Sequence, residues 1–228
     1  MENPFVLSDI VFDKDYTPEG LGMQLKHTFN SHHAFKLIGG AFVLDEVGSS
    51  SRDPFLFGAQ ARFDSAWDEK QKWSSTAGVG IFAVTHDERL LTGQMANQNV
   101  GNTRVASGAD FRPAEGFNPI VVDGALTYTL ESFPMYPGRF PITVAGDYMH
   151  NPAAQDYQDG YSVGITLGKS GKKKTWDLSY RFRELQPNAW FEELVDSDSG
   201  AFYGSGATGG IANSGKTGTP AGYQSGTN

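Results

Sequence analysis

From Tyr161 the odd positions read Tyr161, Val163, Ile165 and Leu167, while Ser162, Gly164, Thr166 and Gly168 fill the gaps. After the turn GKSGKKK the period resumes as Trp176, Leu178, Tyr180 and Phe182, set against Asp177, Ser179, Arg181 and Arg183. Successive side chains of a strand point to opposite faces, so each segment carries one apolar face and one polar or small face. The rings stand at the ends of these rows and the aliphatics in the middle, which suits a strand crossing a bilayer.

The same alternation predicts six earlier strands: Leu21–Phe29, Ala34–Leu44, Phe55–Asp64, Trp73–Val84, Ile120–Leu130 and a sixth opening at Phe140. Ala34–Leu44 is apolar on both faces and leaves its register open. The connections alternate between short (Asn30–His33) and long (Asp45–Asp53, Thr85–Gly116). An outer-membrane barrel has short turns on one rim and long loops on the other, whereas a Greek-key sandwich gives no reason for the alternation. The pattern therefore predicts an all-β fold, an antiparallel up-and-down transmembrane β-barrel with about eight strands visible. Residues 1–228 form a single barrel domain or barrel fragment, with 185–228 as a Gly/Ser-rich long loop or tail. The best helical stretch, Ala189–Val195, is too short to compete.

Composition fits. Charged residues are 19%, aromatics 13%, and 28 of 228 residues are glycine, well above the usual ~7%. No run approaches the ~20 apolar residues of a membrane helix, but a barrel needs none. The net charge of −8 disfavours nucleic acid as a partner. The absence of cysteine removes disulfides, thiolate metal ligands and Cys nucleophiles together. The opening MENPFVLSDIVF has no basic region followed by an apolar core, so it does not read as a signal peptide.

Several motif matches lack their structural context. Gly210–Thr217 fits the phosphate-loop expression, and Gly204–Gly209 fits the dinucleotide fingerprint. Neither follows a strand or opens a helix, so both read as surface loop. Gly160–Gly164 resembles a nucleophile elbow, but the residues continue as strand and no His follows His150. Asp196–Gly200 starts like a calcium loop and then has Ala207 where a Glu is required, leaving at most a weak surface Ca²⁺ site. The neighbours His32 and His33 diverge in a turn, and Lys172–Lys174 make a solvated basic tip. No residue set suggests catalysis, a cofactor or a resident metal.

Three stretches, NPFVLSDIVFDKDYTPEG, ALTYTLESFPMYPGRFPITVAGDYMHNPAA and DGYSVGITLGKSGKKKTWDLSYRFRELQPNAWFEELVDSDSG, resemble the putative porin family of bacterial outer membranes. The third is the most specific, with a glycine-lysine turn, the strand residues Trp176, Leu178, Tyr180 and Phe182, then Pro187 and the Asp196–Asp198 run. The resemblance implies further strands after the polar ending GYQSGTN and a signal region before Met1.

Resemblance and pattern together predict an outer-membrane channel for passive diffusion of small hydrophilic solutes, not an enzyme. Its partners would be membrane lipid, lipopolysaccharide and the solutes, with a homo-oligomer allowed. The expected pore-lining residues are Gln60, Arg62, Asp123, Asp147, Asp177, Arg181 and Arg183. Asp87, Glu88, Arg89, Arg104, Asp110 and Arg112 would form a constriction if the long connection folds inward. The alternative is a soluble secreted β-sandwich binding carbohydrate or a protein, its apolar strand faces turned inward.

Overall fold

The computed structural model describes residues 2–48, 52–70, 72–93 and 101–195. All eight strands of the alternation are present, joined in one antiparallel sheet whose spatial order follows the chain. They are β1 (Glu19–Thr28), β2 (His33–Val43), β3 (Phe55–Ala66), β4 (Trp73–Thr85), β7 (Ile120–Leu130), β8 (Phe140–His150), β9 (Asp159–Gly168) and β10 (Asp177–Leu185). Two short strands, β5 (Arg104–Ser107) and β6 (Asp110–Pro113), form a separate hairpin between β4 and β7. The sheet is an up-and-down meander and it is open: β1 and β10 are its two edges.

Register follows from the faces. On the outer side Leu25 lies opposite Leu37, Leu37 opposite Ala61, Ala61 opposite Val79, and Val79 opposite Val122. A one-residue slip anywhere would move a strand's apolar set to the other face. The ambiguity of β2 is resolved by its neighbours. Phe35 and Leu37 face outward, while Ile38 and Phe42 are fully buried on the inner side.

Connections 29–32, 67–72, 131–139 and 169–176 lie on one rim, and 44–54, 86–119 and 151–158 on the other. The expected alternation of lengths holds through β7 and then fades, since 151–158 is no longer than the turns 131–139 and 169–176. The connection 86–119, given by the alternation only as a long one, has structure of its own. Its described residues hold a 3-10 turn, Asp87–Arg89, and the β5–β6 hairpin. Glu19 pairs with Val43, so the residues before β1 approach from the long-connection rim.

Those residues run along the inside of the sheet. Val6 meets Gln60 on β3, and three residues later Asp9 meets Arg181 and Arg183 on β10. Strand spacing puts β3 and β10 roughly 24 Å apart along the sheet, but three extended residues reach only ~10 Å. Long side chains cover part of that gap and curvature the rest. The sheet is a trough with the segment 3–16 as a strap across it.

Inside the trough, at the long-connection end, sits the one large apolar cluster of the described residues. Phe5, Ile10, Val11 and Phe12 of the strap meet Phe42, Leu56, Phe82 and Met149 of the wall and Trp190, Phe191 and Leu194 beyond β10. Residues 186–195, which composition joins to the Gly/Ser-rich tail, are turns buried in this core. Glycine makes the room. A Cβ on Gly58 would stand 2.6 Å from the Phe82 ring and 2.7 Å from that of Phe5. The motif matches at Gly204–Thr217 and the Asp196–Gly200 run lie outside the described residues.

Candidate functional site: an inverted sheet and its strap

The outer face is apolar and uncovered. Leu21 is 74% exposed, Ile81 55%, Val163 52% and Leu178 63%, and no second sheet is stacked on them among the described residues. Rings gather toward the strand ends. Trp73 and Tyr128 pair at 4.6 Å between centroids, while Phe133, Tyr136 and Trp176 enclose Phe140 beside the turns. A soluble sandwich hides its apolar faces between two sheets. Here that face looks outward.

The inner face is graded. At the long-connection end it is the dry cluster described above. At the short-turn end it is small and hydroxylic: Ser74 lies opposite Thr127, Thr127 opposite Thr143, Thr143 opposite Thr166, and Thr166 opposite Ser179. Between them runs a charged row in continuous register, Lys36, Arg62, Gly78, Asp123, Asp147, Ser162 and Arg183. Four expected lining residues, Arg62, Asp123, Asp147 and Arg183, thus share one row, with Gln60 and Arg181 one inward position away on β3 and β10. Asp177 stands apart at the turn end, accepting the Ser170 N–H at 3.0 Å.

Most of these groups are already engaged. Arg62 Nε donates to Asp64 at 2.9 Å, and its Nη1 lies 3.4 Å from Asp123. Lys36 joins Asp64 at 2.9 Å. The Asp123 carboxylate lies over Gly78, where a Cβ would stand 2.3 Å from Oδ1. Ser162, centre of the elbow-like match, is a β9 residue whose hydroxyl donates to Asp147 at 2.7 Å.

The strap is the element on the concave side that the periodicity does not reveal. Gln60 Nε2 donates to the Val6 carbonyl at 2.8 Å and its Oε1 accepts the Val6 N–H at 2.9 Å, so one buried amide holds one residue's backbone from both sides. Asp9 splits its carboxylate, one oxygen 2.7 Å from Arg181 and the other 3.1 Å from Arg183. Trp190 Nε1 donates to the Val11 carbonyl at 2.7 Å. Toward β1 the strap borders a cleft of about 710 Å³. Tyr16, stacked on Phe12, lines it, and burial pushes its phenol up to about 12. The signal for the strap was in the sequence, as apolar residues (Phe5, Ile10, Val11, Phe12) outside any alternating row.

The long connection packs against the residues after β10 at the rim. Arg104 is 1% exposed and pairs with the fully buried Glu192; its Nη1 donates to the Leu90 carbonyl at 3.0 Å. Glu192 also accepts the Gly101 N–H at 2.8 Å, and Asn102 Nδ2 reaches the carbonyls of Pro187 and Trp190 at 2.6 Å each. Arg104 therefore anchors the connection from within. Glu88 is exposed, and Arg89, Asp110 and Arg112 are half-buried. Asp87 is half-buried too; burial and then the neighbouring Glu88 hold its carboxyl above the ordinary range.

Residues 1–88 match a family model described as putative porin, consistent with membership of that family. The match covers the strap and β1 to β4, not the 159–200 stretch whose motif carried the resemblance. No curated protein and no solved structure matches the chain.

Proposed function

We propose that this chain builds the wall of an outer-membrane porin-like channel, through which small hydrophilic solutes pass by passive diffusion. One observation carries the reading: an eight-strand meander with its apolar face uncovered and its charged and hydroxylic residues on the concave side. In water that arrangement leaves large apolar side chains unprotected along eight neighbouring strands. In a bilayer lipid covers them. Unpaired strand edges are not tolerated in hydrocarbon. In the membrane β1 and β10 therefore pair with each other or with further strands.

The rim of long connections faces the outside, where lipopolysaccharide meets it, and the hydroxylic end opens toward the periplasm. Solute follows the polar half of the inner face and is narrowed where the strap crosses. The constriction is thus built by Val6 to Asp9 against Gln60, Arg62, Asp123, Asp147, Arg181 and Arg183, and the long connection shapes the mouth above it. Arg104 takes no part in the passage, because its charge is neutralised by Glu192.

Planar-bilayer recording on the purified protein tests this. The expected result is discrete ohmic steps in KCl. Asp9→Asn loosens the strap's hold on Arg181 and Arg183 and raises the step size. A protein that stays monodisperse without detergent and leaves bilayers silent would favour the secreted sandwich.

A further inference from the structure

Under the strap lies a cavity of about 190 Å³. Ala125, Ala145 and Gly146 keep its floor low, and Ser8 comes down from the strap. Arg62, Asp123, Asp147 and Arg181 face it from four different strands. The two guanidinium groups are committed, Arg62 to Asp64 and Asp123, and Arg181 to Asp9.

The oxygens are not. Asp147 is 8% exposed and one of its oxygens accepts the Ser162 hydroxyl, but Oδ2 has no hydrogen-bond partner. Ser8 Oγ and Asp123 Oδ1 are likewise buried without a partner at hydrogen-bond distance, with the Ser8 hydroxyl facing the Asp147 carboxylate and the Gln60 amide facing that of Asp123. A buried carboxylate oxygen with no donor bears its full desolvation cost. The unmet demand in the cavity is thus for donors and positive charge, with none left for an anion. No aromatic ring lines it to stack on a sugar face. Among the described residues no three acidic or imidazole groups converge on one point, so a tightly held divalent ion is not provided for.

We infer that Asp147, with Ser8 and Asp123, forms a monovalent-cation subsite beneath the strap, taking an alkali ion or the primary ammonium group of a small solute. Its place on a permeation path rests on the channel reading; binding itself does not. The Ser8 hydroxyl completes the subsite only while the strap is docked, so occupancy and strap position are linked.

Thallous ion titrated against the detergent-solubilised protein is a direct probe, read by the broadening of its NMR line. Saturable broadening is expected, displaced by both KCl and methylammonium chloride; the better competitor tells which cation the subsite prefers. Asp147→Asn keeps an oxygen for Ser162 and should weaken thallous binding by about tenfold or more, the scale of a hydrogen bond to a charged group. Ser8→Ala lies off the sheet, leaves folding untouched and should cost about threefold. Should Asp147→Asn misfold by circular dichroism, Ser8→Ala decides alone. Absence of saturable binding, or equal binding by parent and folded variants, overturns the subsite. Bilayer recording is read separately, so silent membranes would remove the channel and leave the binding result standing.

Discussion

Val79→Arg is the sharpest probe of how the sheet sits in a membrane. Val79 is the middle residue of the 13-residue β4, exposed on the outer face between Ala61 and Val122. Each end of β4 is roughly 20 Å away along the strand, and a tilt of about 45° leaves ~14 Å of depth. The apolar band of an outer-membrane barrel is ~25 Å tall, so Val79 lies near its midplane, where arginine costs ~2–4 kcal/mol. Leu178 is equally apolar and outward, yet it is the second residue of β10, beside the turn. Arginine there reaches the interface, and the expected loss is ~0–1 kcal/mol. Ser179→Arg turns the charge inward and forfeits only the 3.0 Å hydroxyl pair with Thr166, a loss of ~1 kcal/mol. The assay is urea unfolding of each variant from lipid vesicles, followed by tryptophan fluorescence and extrapolated linearly. Equal losses at Val79 and Leu178, or a Ser179→Arg loss as large as that of Val79→Arg, would refute both the facing and the depth.

Three further outcomes are expected. Gly78→Ala drives a methyl into the Asp123 carboxylate and parts it from Arg62, so it should cost ~1–2 kcal/mol and add little in an Asp123→Asn background, as a double-mutant cycle in urea would read. Arg104→Ala takes the guanidinium away from the buried Glu192 and leaves its charge to backbone N–H groups such as that of Gly101, for ~3–5 kcal/mol; limited proteolysis should then cut the 86–119 connection far faster than in the parent, and uncut protein would count against the anchor. Asp68 accepts the Lys72 and Trp73 N–H groups at 3.0 and 2.9 Å, and these bonds hold its carboxyl below the ordinary range. A lowered folded pKa means the turn's added stability is present above the unfolded value of ~3.9 and lost as pH falls through the folded one, so the Trp73 amide should lose hydrogen-exchange protection on acidification below that value, and the loss should be absent in Asp68→Asn.

The eight strands and their two faces were legible in the residues because alternation is a local property. Tyr161 and Val163 specify their facing whatever lies beside them, and the rows of β7, β9 and β10 fall as the period predicts. The β5–β6 hairpin escaped because four-residue strands are too short to show a period. What fills the concave side depended on partners remote in the chain. Asp9 meets Arg181 across 172 positions, and Arg104 meets Glu192 across 88. No local pattern couples such residues, and as sequence Asp9 is one acid in a polar opening, Trp190 one ring in a Pro-containing loop. Only the curvature of the sheet brings the strap within reach of β3 and β10 together, and only then do Gly58 and Gly78 read as space for a ring and a carboxylate. Alternation determined which way each strand faces; curvature of the sheet decided what each inward residue touches, because contact across a curved sheet follows distance in space and not separation along the chain.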